Sequence, residues 1–181
     1  MGEGEDTFHW DPGDGSDTVE GQDGSDTLYF NGANINEQID VSANGGRVRF
    51  SRDIAAITMD LNDVEGILFH AFGGADTVTV NDLTGTDVKS VDVGLAASGG
   101  GGDASADTVV VNGTTAPDKV KVAPSGGSVK VSGLAAQVRI TGAEPANDTL
   151  RIQTLAGDDT VTVVPAVLAL IQTIVDLGPD E

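Results

Sequence analysis

The 181-residue chain has 29 acidic and 9 basic residues, which gives a formal net charge of −20 at pH 7. Such a charge repels nucleic acid and anionic membrane surfaces, and it attracts cations. The absence of cysteine excludes disulfides, so that only packing or metal can cross-link the fold. Hydrophobic residues form 39% of the chain, which argues against a disordered acidic polymer. No apolar run is long and uninterrupted enough to span a bilayer.

Pairs of apolar residues at positions i and i+2 recur along the whole chain, and each pair predicts one buried face of a short strand. Turn-forming Gly, Asn and Asp separate the pairs. The widest gap, between Val91 and Val109, contains "AASGGGGDASAD" and predicts an extruded loop. Val19 fits between the first two pairs as a single residue. The pairs are Phe8/Trp10, Leu28/Phe30, Ile39/Val41, Val48/Phe50, Ile57/Met59, Ile67/Phe69, Val78/Val80, Val91/Val93, Val109/Val111, Val120/Val122, Val129/Val131, Val138/Ile140, Leu150/Ile152 and Val161/Val163.

A short strand and a turn every ~10 residues fit either a β-sandwich of hairpins or a parallel β-solenoid. Hairpins favour two-residue Asn-Gly loops, whereas most turns in this chain are longer and similar in composition. Similar turns at similar steps favour the stacking of equal coils. We therefore predict an all-β, parallel β-solenoid with two strands per coil, which begins as a β-roll and continues as a β-helix. The sandwich is the alternative.

Three segments near the N-terminus place Gly, Asp and an apolar residue at one shared spacing. They are "MGEGEDTFH" (1–9), "PGDGSDTVE" (12–20) and "GQDGSDTLY" (21–29). This pattern resembles the hemolysin-type calcium-binding repeat of RTX proteins, G-G-x-G-x-D-x-U-x. By this resemblance the chain is similar to a fragment of a large secreted bacterial repeat protein.

A fourth, degenerate copy follows from the register of the strands. Counting back from Ile39, Glu37 falls at the Asp position of the repeat and Gly32 at its first Gly position. Residues 1–40 are therefore predicted to form the RTX-like calcium-binding repeats. Residues 41–181 resemble the β-helical segments found between such repeats, and we expect them to continue the same stack as a degenerate solenoid within one domain.

The residue types of the repeat suit Ca²⁺, which takes six to eight oxygen ligands from carboxylates and backbone carbonyls. Glycine permits the positive φ angles of a tight turn, so that several carbonyls can point to one centre. The aspartate adds charge, and the apolar residue two positions later anchors the turn in the core. In the family that the repeat resembles, two turns on the same side of adjacent coils share one ion.

This resemblance implies that partners lie two repeats apart. One predicted ion lies between Asp6 and Asp26, and a second lies between Asp17 and Glu37. Carbonyls around Gly2, Gly4, Gly21, Asp23 and Gly24 would help the first ion, and those around Gly13, Gly15 and Gly32 would help the second. The alternative is that these are Asx-type turns, in which each aspartate caps its own backbone without metal.

Four later aspartates precede predicted strands, usually as Asp-Thr, and the same two interpretations apply to them. For these the turn-ending role is favoured over metal, although Asp159 is the best placed of them to hold a weak ion. The outward-facing Arg47 and Arg49 are interpreted as a solvated face that neutralises carboxylates of neighbouring coils. The four aspartates are Asp76, Asp107, Asp148 and Asp159.

The predicted function is a non-enzymatic, calcium-binding structural or interaction module of an extracellular protein associated with the cell surface. Extracellular calcium modules bind with Kd values of about 10⁻⁴–10⁻³ M, so that the sites would fill after export and stabilise the fold by mass action. The expected partners are calcium and, in the first alternative, glycans or cell-surface components bound by an adhesin or matrix segment. The second alternative is a polysaccharide lyase or epimerase that uses Ca²⁺ beside a basic residue. No nucleic acid and no membrane span are expected.

Overall fold

The computed structural model describes residues 1–179 and is all-β, with short 3₁₀ segments only at Ile54–Ala56 and Pro165–Ala169. Among these residues, no helix has the length and apolar character needed to cross a bilayer. The strands are β1 (Thr7–Trp10), β2 (Thr18–Glu20), β3 (Thr27–Asn31), β4 (Gln38–Asn44), β5 (Arg47–Arg52), β6 (Ile57–Asn62), β7 (Gly66–His70), β8 (Thr77–Val80), β9 (Ser90–Gly94), β10 (Thr108–Asn112), β11 (Lys119–Ser125), β12 (Ser128–Ser132), β13 (Gln137–Thr141), β14 (Thr149–Gln153), β15 (Thr160–Val163) and β16 (Gln172–Asp176).

The strands form two eight-stranded sheets that enclose one apolar core. Sheet 1 has the order β1-β3-β7-β9-β13-β12-β11-β15, and sheet 2 has the order β2-β6-β5-β4-β8-β10-β14-β16. The chain crosses from one sheet to the other after most strands, and the neighbouring strands that result are parallel. Two segments instead stay within a sheet and run antiparallel: β4-β5-β6 in sheet 2 and β11-β12-β13 in sheet 1.

The apolar pairs at i and i+2 point into this core, as the sequence predicts, because strand side chains alternate between the two faces. The core of the first half is aromatic. The ring centroids of Trp10 and Phe30 lie 3.9 Å apart, and those of Phe30 and Phe50 lie 4.5 Å apart. The second half is filled by Val, Leu and Ile. The predicted loop between Val91 and Val109 is also confirmed, because no strand lies between β9 and β10.

The predicted parallel solenoid is therefore met in part: the chain is all-β and rich in parallel pairs, but both sheets are mixed. The reason is that each antiparallel segment reverses the chain twice, first at a two-residue turn, Gly45–Gly46 or Gly126–Gly127, and then at residues 53–56 or 133–136. Gly45 has a φ of 67°, and Gly126 and Gly127 have φ angles of 58° and 83°. Gly-Gly is among the dipeptides that accept such angles in two-residue hairpin loops. The sandwich alternative thus applies locally, at these two turns.

The two halves of the chain repeat one another strand by strand. Residues 26–80, which contain β3 to β8, correspond to residues 107–163, which contain β10 to β15. The parallel pairs β3-β7 and β4-β8 have the counterparts β10-β14 and β11-β15, and each half contains one antiparallel segment at the same place. Equivalent strands lie in opposite sheets because the chain changes sheet five times, an odd number, between each strand and its counterpart.

Candidate functional site

The turns that precede β1 and β3 stack on one another at the N-terminal end of sheet 1. Gly4 and Gly24 form a parallel bridge, and the Gly4 N–H donates to the Asp23 carbonyl at 2.8 Å. The Asp6 N–H donates to Asp26 Oδ1 at 2.9 Å. A Cβ at Gly24 would lie only 1.5 Å from the Gly4 carbonyl oxygen, so the turns stack this closely only with glycine there. The structure thus brings the predicted partners Asp6 and Asp26 together.

The Asp26 carboxylate is the central polar group of this stack. Asp26 is 0% exposed, and its Oδ2 atom has no hydrogen-bond partner. This oxygen faces Gly21, where an added Cβ would lie 2.6 Å away. A buried carboxylate oxygen without a proton, a donor or a cation is energetically costly and rare. The stack therefore contains an acceptor for which the protein itself provides no donor.

A third turn, which the sequence did not indicate, extends the stack on the other side. The Asp26 N–H donates to Glu65 Oε2 at 2.7 Å, and the Gly21 N–H donates to the Asn62 carbonyl at 2.8 Å. Glu65 is part of the turn that leads into β7, which is the next strand of sheet 1. Asp26 is consequently enclosed from both sides, whereas Asp6 remains partly exposed at the end of the stack.

The second predicted pair is not brought together. Asp17 precedes β2 and Glu37 precedes β4, and β6 and β5 lie between these strands in sheet 2. Gly13 and Gly15 adopt the positive φ angles expected of the repeat, 119° and 87°. However, the Asp17 carbonyl accepts from the Asp60 N–H at 2.9 Å, so that its neighbour in the sheet is β6 rather than β4. The antiparallel segment therefore separates two residues that a regular stack would place side by side.

Glu37 has a different set of partners. It is 1% exposed and forms an ion pair with Arg52, which is itself 5% exposed. The Ala33 N–H donates to Glu37 Oε2 at 2.8 Å, and a Cβ at Gly32 would lie 2.4 Å from this oxygen. Both carboxylate oxygens are thus satisfied within the protein. The acidic neighbour of Glu37 is Asp76, whose Oδ1 accepts from the Glu37 N–H at 2.7 Å.

Glu37 and three of the four later aspartates form a row of acidic residues along one edge of sheet 2. The Asp76 N–H donates to Asp107 Oδ1 at 2.9 Å, and the Asp107 N–H donates to Asp148 Oδ1 at 3.1 Å. These aspartates therefore do more than end their own turns, because each also caps a backbone N–H on the neighbouring strand. Asp76, Asp107 and Asp148 are 1%, 3% and 1% exposed.

Burial sets the proton affinity of this row. Burial raises the pKa of Asp76 to about 8 and that of Asp107 to about 6, and neighbouring carboxylates add to both shifts. The pKa of Asp148 is raised as well, again chiefly by burial. Desolvation and like charges both disfavour the ionised form of a carboxyl group. Binding of a proton or a cation would offset the free-energy cost of keeping these carboxylates ionised and buried.

Sequence reasoning missed Glu65 and Asp118, and the internal repeat carries a signal for both. The acidic positions coincide in the two halves, and so do their hydrogen bonds. The Asp107–Asp148 contact repeats the Asp26–Glu65 contact. The corresponding residues are Asp26 and Asp107, Glu37 and Asp118, Glu65 and Asp148, and Asp76 and Asp159.

Protein-family models, curated proteins and solved structures contain no match to this chain. Within residues 1–179, no three His, Cys, Asp or Glu side chains converge on a point where they could hold a metal by themselves. An ion beside Asp26 would therefore need backbone carbonyl oxygens for much of its shell, which is a ligand type that Ca²⁺ accepts.

Proposed function

We propose that this chain is a non-enzymatic, calcium-binding structural module of an extracellular protein, and that its sheets form a solenoid interrupted by two antiparallel segments. The observation that supports calcium is the Asp26 Oδ2 atom, which is buried and without a partner between two stacked glycine turns. The residues present fit a hard cation, because they offer carboxylate and carbonyl oxygens and neither Cys nor His.

Each residue of the N-terminal stack would have its own role in holding the ion. Asp26 provides a buried negative charge, and Asp6 provides a second carboxylate from the neighbouring turn. The Asp6 Oδ2 atom lies 3.5 Å from the position that a Cβ at Gly2 would occupy. Gly4 and Gly24 allow the turns to approach closely enough to present carbonyls to one point. Bound Ca²⁺ would supply the positive charge that offsets the buried carboxylate and links adjacent strands of sheet 1.

The overall charge supports a role outside the cell. At a net charge of −20 the chain repels itself, and bound cations reduce that repulsion. Sites with a Kd of about 10⁻⁴–10⁻³ M are mostly empty at cytosolic calcium levels and filled at extracellular ones. Metal that binds only the folded state then stabilises the chain after export.

The test is thermal unfolding followed by circular dichroism, in excess chelator and in about 5 mM Ca²⁺, a concentration above the weak extracellular range. We expect Ca²⁺ to raise the Tm of the wild-type chain by about 5 °C or more, and Mg²⁺ to have little effect. Asp26→Asn should remove most of this increase. Asp118→Asn is the matched control, because Asp118 is also buried but accepts hydrogen bonds from Thr114. Equal calcium responses in the two variants would contradict the site.

A second candidate function, the binding of an anionic glycan, is favoured by one surface. Residues 119–143 contain no acidic residue and four of the nine basic ones. Lys119 and Lys121 point outward from β11, and Lys130 of β12 lies directly opposite Arg139 of β13. Like charges directly opposite one another destabilise a sheet, and Asp92 offsets the charge of Arg139 but not that of Lys130. The ion pairs within residues 1–179 involve arginines and none of these lysines.

This lysine surface, formed by Lys119, Lys121, Lys130 and Arg139, can be tested with immobilised polygalacturonate. We expect weak binding that salt abolishes, because exposed charges are screened, and no binding to neutral dextran. Lys121→Glu should weaken binding. The matched control is Arg151→Glu, because Arg151 is exposed on the outer face of the opposite sheet. Equal loss of polygalacturonate binding in both variants would mean that binding depends only on the net charge of the protein.

A further inference from the structure

Asp76 and Asp107 precede neighbouring parallel strands as Asp6 and Asp26 do in the N-terminal stack. Strand β8 pairs with β10 in the register in which β1 pairs with β3: Thr77 is opposite Thr108 as Thr7 is opposite Thr27. The connecting hydrogen bond is also the same. The Asp76 N–H donates to Asp107 Oδ1 at 2.9 Å, the length of the bond from the Asp6 N–H to Asp26 Oδ1.

The turn before β8 keeps the backbone of the N-terminal repeat although its sequence has diverged. Gln22 and Gly24, four and two residues before Asp26, have φ angles of 76° and 148°. Phe72 and Gly74 hold the same places before Asp76, with φ angles of 68° and 111°. A positive φ is uncommon for a bulky residue such as Phe72, and backbone strain of this kind concentrates at functional sites.

The Asp76 carboxylate repeats the unusual feature of Asp26. It is almost fully buried, and its Oδ2 atom has no hydrogen-bond partner. A second carboxylate lies over the same turn, because Asp103 Oδ2 accepts from the Gly74 N–H at 3.0 Å. Burial acts to raise the pKa of Asp103, but hydrogen bonds from Ser105 and Gly74 outweigh it and leave the pKa lowered. Asp103 is therefore a negative charge held over the turn that precedes Asp76.

We propose that the Asp76 carboxylate and backbone carbonyls of the turn of residues 71–76 bind a second divalent cation, with Asp103 of the loop of residues 102–107 adding charge over the same turn. The geometry assigns Asp76 Oδ2 as the buried ligand, Asp103 as a nearby charge on the Gly74 N–H, and backbone carbonyls of the turn as the rest of the shell. This inference rests on the proposed function for the identity of the ion, Ca²⁺. The binding itself does not depend on the N-terminal stack.

The test is to count bound ions by equilibrium dialysis against radioactive Ca²⁺ at pH 8. We expect two ions in the wild-type chain and one in Asp76→Asn. Asp103→Asn should weaken the second ion by at least about tenfold, and this variant decides the question if Asp76→Asn does not fold, because Asp103 is part of a loop. Asp148→Asn is the control and should keep two ions, since both Asp148 oxygens already accept backbone N–H groups.

The same experiment separates this inference from the function proposed above. Loss of one ion in Asp76→Asn but none in Asp26→Asn would keep the second site and overturn the N-terminal one. Wild-type stoichiometry and affinity in both Asp76→Asn and Asp103→Asn would overturn the second site, whatever Asp26→Asn does. A wild-type chain that binds no Ca²⁺ would overturn both.

Discussion

The two halves of the molecule reach one topology with different cores. In residues 26–80 the core contains Phe30, Phe50 and Phe69. Residues 107–163 have Val111, Val131 and Ile152 at the equivalent positions. The first half also has a buried ion pair between Glu37 and Arg52, with the guanidinium 5.5 Å from the Trp10 ring. In the second half Asp118 takes the place of Glu37 without such a pair.

What the two halves share is therefore what determines the topology. Both have the alternating apolar pairs, the Gly-Gly turn of the antiparallel segment, and an acidic residue just before the strands. The apolar pairs select the buried face of each strand, and the Gly-Gly turn reverses the chain. The acidic residues cap N–H groups between neighbouring strands. Aromatic rings and the buried ion pair adjust stability within that topology.

Truncation of equivalent core residues should show the largest difference between the halves. We expect Phe50→Ala to lower the free energy of unfolding by about 4 kcal/mol, because a large buried ring leaves a large cavity. Val131→Ala at the equivalent position should cost about 2 kcal/mol, since fewer buried atoms are lost. Urea unfolding at fixed pH and calcium measures both. Equal losses of unfolding free energy would mean that the aromatic cluster gives the first half no extra stability.

Removal of Arg52 should destabilise the first half by about 3 kcal/mol, because it leaves Glu37 buried without its ion-pair partner. The double variant Glu37→Gln/Arg52→Met should recover much of this loss, since neither charge then remains buried. Urea unfolding of the single and double variants tests the prediction. A double variant that is no more stable than Arg52→Ala would mean that Arg52 acts through packing against Trp10 instead.

The buried acidic row should make the calcium-free protein less stable as the pH rises. The pKa of Asp76, about 8, and that of Asp107, about 6, lie above the value of 3.8 expected for an unfolded aspartate. The folded state therefore binds more protons between pH 4 and 8, and its stability is greatest at the acid end of this window. In chelator we expect the Tm at pH 5 to exceed that at pH 8 by about 5 °C. Asp76→Asn should flatten this dependence, and an unchanged slope in that variant would contradict it.

Exposed ion pairs should contribute least to the free energy of unfolding, and their contribution should be similar in both halves. Arg47 bridges Glu20 and Asp60 at 2.8 and 2.7 Å, and Arg139 pairs with Asp92 at 2.6 Å. All of these groups are partly solvated, so we expect Arg47→Gln and Arg139→Gln each to cost less than about 1 kcal/mol. Thermal unfolding at low and high salt provides the measurement. A loss above about 2 kcal/mol in either variant would show that the pair is coupled to the core.

Much of the fold could be read from local patterns. The pair Phe8/Trp10 and its successors predicted the buried faces, because strand side chains alternate regardless of what the strand packs against. The stacking of the Asp6 and Asp26 turns was implied by the resemblance of residues 1–29 to the calcium-binding repeat. Glu37 shows the limit of this reasoning: its predicted partner was wrong, because the antiparallel segment places β5 and β6 between β4 and β2 in sheet 2.

By itself the sequence determined that the protein is all-β and where most of its strands lie, because these depend on local periodicity. Only the tertiary structure decided which strands become neighbours. It paired Glu37 with Arg52 and buried Asp76 beside Asp107 and Asp103. Such contacts join residues far apart in the chain, and local side-chain patterns do not encode them. The solvation of each carboxylate, and with it the affinity for a proton or a cation, depends on those neighbours.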